Sequence, residues 1–242
     1  MAVASKNMLS HLHLIRHGET EWSLSGRHTG RTDLPLSQQG EANARQLAGR
    51  LRTTTFSRVF TSPRRRARLT CELAGLGAMA QIEPDLAEWD YGDYEGKRSV
   101  EIFTARPDWN LFRDGCPHGE SPAQISDRAD RLIARLRALD GNVALFSHGH
   151  FGRVLGARWI GLPAIEAQHF LLGTASLSLL GYEHDRADQP VISLWNAASP
   201  SPVDPGHGLR TGEAVALKRR AIERWENEGG EISAAPRKPT GP

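Results

Sequence analysis

The length, composition and charge of the chain exclude several classes of protein. At 242 residues the chain can bury the core of one large domain or of two small ones. With 30 Lys and Arg against 28 Asp and Glu, its formal net charge of +2 is too close to neutral for an extended nucleic-acid-binding face, so any basic character that matters must be local.

The cysteines and the N-terminal sequence indicate the compartment. Cys71 and Cys116 are far apart in the chain, and neither has a cysteine or a ligand-spaced histidine near it. This favours reduced thiols over a disulfide framework or a zinc site. No apolar leader precedes the first predicted strand, and no window approaches the roughly 18 apolar residues of a membrane span. We therefore expect a cytoplasmic protein that is not exported.

The stretch LIRHGETEW, residues 14–22, is the first candidate functional segment. The apolar run at its start predicts a buried strand, and Arg16, His17 and Gly18 follow where that strand ends. An arginine offers a rigid fork of donors to phosphate oxygens, and a neutral imidazole can act as a nucleophile. We also expect the amide of Gly18 to stay open to an anion. A structural, hydrogen-bonded histidine is the alternative, so the motif needs partners elsewhere in the chain.

The segments that follow predict a loop, a helix and a strand–helix unit. Residues 25–33 are polar and rich in glycine, which is typical of a surface loop. Ser37 is a candidate cap for a helix over 38–52. A buried strand over 58–63 precedes a helix over 64–74.

Four arginines crowd the first turns of the helix predicted over residues 64–74. They are Arg64, Arg65, Arg66 and Arg68. In a parallel sheet, ligands bind at the edge where the strands end and helices begin. We therefore expect at least one of these arginines to point into a site and the others to be solvated.

Acidic and aromatic residues lie between glycines over residues 86–96. Aromatic walls beside a carboxylate favour a pocket rim in which one acid is partly desolvated and can donate a proton. An ordinary acidic loop is the alternative. A short helix is predicted over 100–105 and a loop over 106–122.

The apolar spacing over residues 123–139 predicts an amphipathic helix. Its polar face carries Arg128, Arg131, Arg135 and Arg137. We expect these arginines to be solvated and to pair with Asp127 and Asp130, which lie at short helical spacings from them.

A third buried strand lies within residues 143–150 and ends in a His-Gly dipeptide at His148, as the first strand does at His17. If the two strands are parallel, these histidines lie side by side at one edge of the sheet. Alternatively, His148 and His150 could be two metal ligands on one face of a strand. No companion ligand follows at a suitable spacing, so we expect no metal.

A helix over 152–160 and strands over 176–182 and 191–195 complete a predicted domain of residues 11–196. Beyond it the composition changes to proline and serine. We predict, in order, a linker over 197–210, a helix over 211–228 and a disordered tail over 229–242.

Four segments stand in order along the chain: LIRHGETEW, FTSPRRRARLT, LAEWDYGDYEG and LFSHGHFGR. Together they resemble the histidine phosphatase superfamily, and the resemblance spans about residues 11–196. It implies an α/β fold of the phosphoglycerate-mutase-like type, which is a three-layer α/β/α sandwich with a mostly parallel central sheet.

The resemblance implies roles for the reacting groups. His17 matches the nucleophile that takes the phosphoryl group, and Glu88 matches the proton donor. Arg16, Arg66 and His148 match the groups that hold the phosphate. Such a reaction proceeds through a phosphohistidine, with no metal and no cofactor.

The resemblance also implies substrate contacts at Thr29, Gly30 and Tyr91. The expected partner is a small phosphorylated substrate. We expect no nucleic-acid and no membrane partner, and assembly into a homo-oligomer is left open.

Two activities are open within this family. In cofactor-dependent phosphoglycerate mutases a lysine grips the substrate carboxylate at the place where this chain has Ser99, and the span from there to His148 is shorter here. The stretches EWDYGDYEG and WNLFRDGCPHGE resemble the sedoheptulose-1,7-bisphosphatase-like branch more closely. We therefore expect a phosphatase of small sugar phosphates or bisphosphates. The alternative is a mutase, and a non-catalytic phosphate-binding module is a remote third.

Overall fold

A six-stranded, mostly parallel sheet forms the centre of the fold. The computed structural model describes residues 9–198, so the predicted C-terminal helix and tail, and nearly all of the predicted linker, lie outside the described residues. The strands are β1 (His11–Arg16), β2 (Phe56–Thr61), β3 (Ala80–Ile82), β4 (Asn142–Ser147), β5 (Leu177–Tyr182) and β6 (Pro190–Ala197). Their order across the sheet is β3-β2-β4-β1-β5-β6. The first four strands run parallel, and β5 and β6 are antiparallel to their neighbours.

Within residues 9–198, seven α-helices surround the sheet. They are α1 (Glu21–Ser25), α2 (Gln38–Leu51), α3 (Arg65–Leu73), α4 (Ser99–Ala105), α5 (Leu111–Asp114), α6 (Pro122–Arg137) and α7 (Gly149–Trp159). In this part of the chain, no helix combines the length and the apolar character that a membrane crossing requires.

Each face of the sheet has its own apolar core. Side chains alternate between the two faces along a strand, so Leu14 of β1 belongs to one core and Ile15 to the other. The first core packs against α6 and α7, and the second against α2 and α3. Strands that are buried on both faces are typical of parallel sheets. The three-layer α/β/α arrangement and the mostly parallel sheet are confirmed.

The longer helices begin at capping residues that the sequence supplies. Ser37 accepts a hydrogen bond from the N–H of Gly40 at the start of α2, as predicted. At the start of α6, Ser121 and Gln124 cap each other, and Pro122 takes the first helical position. The sequence did not predict α1 or α5, because helices of 5 and 4 residues are too short to show a helical period.

The arginines of α6 bind partners outside their own helix, so the prediction that they pair with Asp127 and Asp130 is wrong. The observed partners are Glu120 for Arg128, Asp85 for Arg131 and Arg135, and the carbonyl of Trp159 for Arg137. Asp130 pairs instead with Arg158 of α7. Tertiary packing brings the α6 arginines closer to these partners than helical spacing brings them to Asp127 and Asp130.

The register of β1 against β4 brings two predicted histidines together. Arg16 lies opposite Ser147 in the ladder, and the N–H of His17 donates to the carbonyl of Ser147 at 2.9 Å. His17 and His148 are therefore the first residues beyond the ends of two adjacent parallel strands.

Two glycines allow the loop after β1 to pack directly on the start of α2. A Cβ on Gly18 would lie 2.5 Å from the carbonyl oxygen of Gly40, and a Cβ on Gly40 would lie 2.1 Å from that of Glu19. The N–H of Gly18 donates to Oγ1 of Thr70 at 2.9 Å. The expectation that this amide stays open to an anion is wrong, because its hydrogen bond ties the loop to α3.

We predict opposite effects for two alanine substitutions in α2. Gly40→Ala forces a methyl group onto the backbone of Glu19, so the free energy of unfolding should fall by about 1–3 kcal/mol. Gly49→Ala is the matched control, because nothing lies within 4 Å of an added Cβ there. It should stabilise the protein by about 0.5–1 kcal/mol, since glycine disfavours a helix relative to alanine. Urea unfolding measures both, and equal stabilities of the two variants would contradict the packing.

Candidate active site

The imidazoles of His17 and His148 lie against each other at the edge of the sheet. Their ring centroids are 5.1 Å apart, with the planes inclined by 62°, and both side chains are buried. Nδ1 of His17 lies 2.7 Å from the carbonyl oxygen of Gly18. Because a carbonyl oxygen only accepts, Nδ1 carries the ring proton and Nε2 keeps its lone pair. Nε2 is therefore the ring nitrogen of His17 whose lone pair is available.

Burial and two neighbouring cations keep His17 neutral. Burial lowers the pKa of His17 well below 6.5, and the guanidinium groups of Arg66 and Arg16 lower it further. The hydrogen bond to Gly18 opposes this effect without overcoming it. The lone pair on Nε2 is therefore present in neutral and in mildly acidic solution.

Both ring nitrogens of His148 have protein partners. Nδ1 accepts a hydrogen bond from Nε of Arg66 at 3.2 Å, which leaves the ring proton on Nε2, 2.7 Å from Oγ of Ser62. Burial, and then the charge of Arg66, lowers the pKa of His148 well below 6.5. Ser62 thus orients a neutral histidine. The sequence reading did not select Ser62, although its place at the end of β2, just before the arginine cluster, was a usable signal.

Arg66 is the arginine of the α3 cluster that the fold buries completely. Its Nη atoms donate to three carbonyls of the loop after α1, those of Thr29 at 2.8 Å, Gly30 at 3.2 Å and Thr32 at 2.9 Å. Carbonyl acceptors satisfy the N–H groups but do not neutralise the charge, and burial lowers the pKa of Arg66. The cluster therefore delivers one fixed, buried cation beside His148, and the predicted phosphate contact of Arg66 stays a prediction.

Thr29 and Gly30 occupy different positions in the site. Thr29 lines the pocket. Gly30 donates its N–H to the carboxylate of Glu95 at 3.0 Å, and a Cβ on it would lie 2.5 Å from the carbonyl oxygen of Trp89. Gly30 thus holds the loop that binds Arg66. The predicted substrate contacts of both residues stay predictions.

Arg16 is held between the loop before β5 and the second His-Gly dipeptide. Its Nη1 donates to the carbonyl of Leu172, and the side chain is buried. A Cβ on Gly149 would lie 3.1 Å from the guanidinium carbon of Arg16. The glycine after His148 therefore leaves room for Arg16.

The carboxylate of Glu88 lies at the N-terminal end of α7 and is held by backbone N–H groups. It accepts hydrogen bonds from the N–H groups of Trp89 at 2.9 Å, His150 at 3.1 Å and Phe151 at 2.8 Å. The last two belong to the first turn of α7, where a carboxylate is favoured. The acid is thus fixed in place, and it lines the same pocket as His17.

Arg128 supports the segment that carries Glu88. Its guanidinium donates to the carbonyl of Ala87 at 2.7 Å, pairs with Glu120 at 2.7 Å and lies 4.2 Å from the ring centre of Phe151. The expectation of a solvated Arg128 is wrong, because this residue joins α6 to the acid-bearing loop.

Several of these groups, but neither Arg66 nor His148, line one open pocket, whose empty volume including open solvent is ≈ 430 Å³. It is lined by Arg16, His17, Ser23, Gly26, Arg27, His28, Thr29, Glu88, Tyr91, Gly149 and His150. His150 was not predicted to line a pocket. His28 lies in a segment predicted as exposed loop and is buried by its stacking on Tyr91 at 4.7 Å, a contact that no local pattern reveals.

The predicted alternative of a metal site at His148 and His150 does not fit the geometry. His150 lies on α7 and not on a strand, and its Nδ1 is 2.6 Å from the hydroxyl of Tyr91. Among residues 9–198, no three His, Cys, Asp or Glu side chains group as metal ligands would.

Comparison with known proteins identifies relatives over most of the chain. An acid phosphatase of Mycobacterium tuberculosis is 43% identical over 198 residues, which cover 80% of this chain and 96% of the relative. Sedoheptulose 1,7-bisphosphatase of Saccharomyces cerevisiae is 31% identical over 261 residues, covering 81% and 96%. A probable phosphoglycerate mutase of Photorhabdus laumondii is 32% identical over 186 residues, covering 72% and 85%.

Solved structures share the fold. A Mycobacterium tuberculosis protein superimposes with a TM-score of 0.73 at 39% identity, covering 78% of this chain and 98% of that one. An α-ribazole phosphatase from Shigella flexneri gives 0.67 at 27% identity, covering 79% and 99%. The family model of the histidine phosphatase superfamily (branch 1) matches residues 12–198. As its four sequence segments predicted, the chain belongs to branch 1 of the histidine phosphatase superfamily.

Proposed function

We propose that this protein is a phosphomonoesterase that hydrolyses a small phosphorylated metabolite, a sugar phosphate or bisphosphate, through a phosphohistidine on His17. The family and its relatives support the coarser activity, that of a phosphatase. The observation that carries the proposal is the unprotonated Nε2 of His17 in one pocket with Arg16 and Glu88.

In the first step Nε2 of His17 attacks phosphorus and the bond to the substrate oxygen breaks. In this proposal Arg16, Arg66 and His148 meet the charge on the equatorial oxygens. Arg66 and His148 do so by exchanging their hydrogen bonds to the loop carbonyls and to Ser62 for bonds to the phosphate. The departing alkoxide takes a proton from Glu88 and leaves as the alcohol. Water then attacks the phosphohistidine, Glu88 recovers a proton from that water, and His17 is released with inorganic phosphate.

The residue at the place of the mutase lysine argues against the alternative activity. Ser99 is uncharged, so it offers a substrate carboxylate no positive charge. It is also buried, with its hydroxyl 3.5 Å from Nε2 of His28. A relative named sedoheptulose 1,7-bisphosphatase supports a sugar bisphosphate. The cytoplasmic location and the state of assembly stay predictions.

Trapping the intermediate tests the nucleophile. Rapid quench of the wild-type protein with labelled fructose 1,6-bisphosphate should leave acid-labile label on His17. His17→Gln should lose this label and lower kcat by at least about a thousandfold. His169→Gln is the control, because it changes a side chain that is 67% exposed. It should keep the acid-labile label and the wild-type kcat.

The absence of label with every phosphate ester tried would favour the binding module. Labelled 3-phosphoglycerate that returns as 2-phosphoglycerate, without release of phosphate, would favour the mutase.

Glu88→Gln tests the proton donor. The amide keeps the size of the side chain but has no proton to transfer, so kcat/KM for an alkyl phosphate should fall by about a hundredfold or more. The loss should be much smaller for p-nitrophenyl phosphate, whose leaving group departs without protonation. Steady-state kinetics of the wild-type protein and of Glu88→Gln on both substrates measures the difference. Equal losses on the two substrates would assign Glu88 to binding or folding.

The pH dependence tests the neutral nucleophile. Because the pKa of His17 lies well below 6.5, the decrease of kcat/KM in acid should have its midpoint below pH 6.5. An acid limb at or above pH 6.5 would contradict this.

Unfolding must be measured in parallel with that profile. Both buried imidazoles gain protons when the chain unfolds, so the free energy of unfolding should decrease as the pH falls below about 6.5. Circular dichroism at each pH separates loss of structure from protonation of the nucleophile.

A further inference from the structure

Two arginines line the pocket, and they come from different parts of the fold. Arg16 ends β1 and is buried, whereas Arg27 follows α1 and is exposed. The proposed function places Arg16 on the phosphoryl group that is transferred. It gives no role to Arg27, although this cation lines the same pocket as His17 and Glu88.

The backbone of the loop after α1 fixes the position of Arg27. Gly26 ends α1 with a φ of 71°, a conformation that glycine adopts readily. The N–H of Arg27 then donates to the carbonyl of Trp22 at 2.9 Å, and Arg27 forms an isolated antiparallel bridge with Arg98. Its Nη1 donates to the carbonyl of Gly96 at 2.7 Å. The arginine is therefore held at the pocket before any ligand arrives.

The charge of Arg27 has no paired carboxylate, unlike the charges of two neighbouring arginines. Arg31 pairs with Asp90 at 2.6 Å, and Arg98 pairs with Glu101 at 3.3 Å. Among residues 9–198, the side chain of Arg27 makes its hydrogen bond to a carbonyl oxygen and forms no ion pair. A guanidinium has several N–H donors, and one carbonyl uses one of them. Arg27 can therefore still bind an anion in the pocket.

We propose that Arg27 is a specificity-determining residue that binds the second phosphate of a bisphosphate substrate. A guanidinium matches the geometry of phosphate oxygens, and two arginines on separate elements can each hold one phosphate. A monophosphate uses Arg16 alone. This inference rests on the proposed function and selects the bisphosphate among the substrates considered there. It leaves the predicted substrate contacts of Thr29, Gly30 and Tyr91 unchanged.

Three sugar phosphates and three variants test the proposal. The substrates are fructose 1,6-bisphosphate, fructose 1-phosphate and fructose 6-phosphate, so the bisphosphate is compared with both of its monophosphates. The variants are Arg27→Gln, Arg27→Lys and the control Arg98→Gln. Arg98 is a matched control because it lies across the bridge from Arg27, is 44% exposed and does not line the pocket.

The measured quantity is the ratio of kcat/KM for the bisphosphate to that for the better monophosphate. Arg27→Gln should lower this ratio by about tenfold or more, the effect of a lost hydrogen bond to a charged group. The loss should appear mainly in KM, because the second phosphate takes no part in the bond that breaks. Arg27→Lys keeps the charge and should restore part of the ratio. Arg98→Gln should keep the wild-type ratio.

Several results would overturn the proposal. An unchanged ratio in Arg27→Gln would do so, and an equal loss in Arg98→Gln would assign the effect to general electrostatic attraction. A loss of equal size on all three substrates would assign Arg27 to the structure of the loop, which circular dichroism of each variant checks. A loss of 2-phosphoglycerate hydrolysis with an unchanged ratio would assign Arg27 to a carboxylate.

Failure of the proposed function is a different result. The wild-type protein would then leave no label on His17 with any phosphate ester tried. Failure of the present proposal alone would leave the label on His17 intact and the preference for the bisphosphate independent of Arg27.

Discussion

The parallel pairing of β1 with β4 is the interaction on which the site depends. Their register aligns Arg16 with Ser147, so both strands end at the same edge of the sheet. The residues that follow them, His17 and His148, are therefore neighbours in space. Because strand side chains alternate between faces, a shift of one residue in this register would turn one of the two imidazoles away. The cores on both faces of the sheet oppose such a shift, and the chemistry is therefore coupled to the packing of the whole domain.

The fold also buries positively charged side chains at the site. Arg16 and Arg66 are buried, and the hydrogen-bond acceptors of Arg66 in the loop after α1 are carbonyls that carry no net charge. Burying a cation in this way is unfavourable without an opposing charge. The same cations lower the pKa of His17 and of His148. One arrangement thus favours an anion beside these cations and keeps His17 unprotonated.

The sequence-based predictions that were wrong have a common physical cause. Helical spacing suggested Asp127 and Asp130 as partners for the arginines of α6, but Arg128 reaches Glu120 and the carbonyl of Ala87 because the acid-bearing loop packs on that helix. A loop glycine suggested an open amide, but Thr70 of α3 occupies the N–H of Gly18. In each case the true partner is distant in sequence and only packing brings it near.

The sequence by itself determined the α/β class, the main strands and longer helices, and the four segments that carry the family resemblance. It did so because period, capping residues and strand-end motifs are local signals. The meeting of His17 and His148 was expected only on the condition that their strands are parallel, and tertiary structure decided that condition and the separation of 5.1 Å. Tertiary structure alone decided that Ser62 orients His148 and that Tyr91 is buried against His150. These contacts join residues from different strands, helices and loops, whose distances are set by how the layers pack and not by the spacing of residues along the chain.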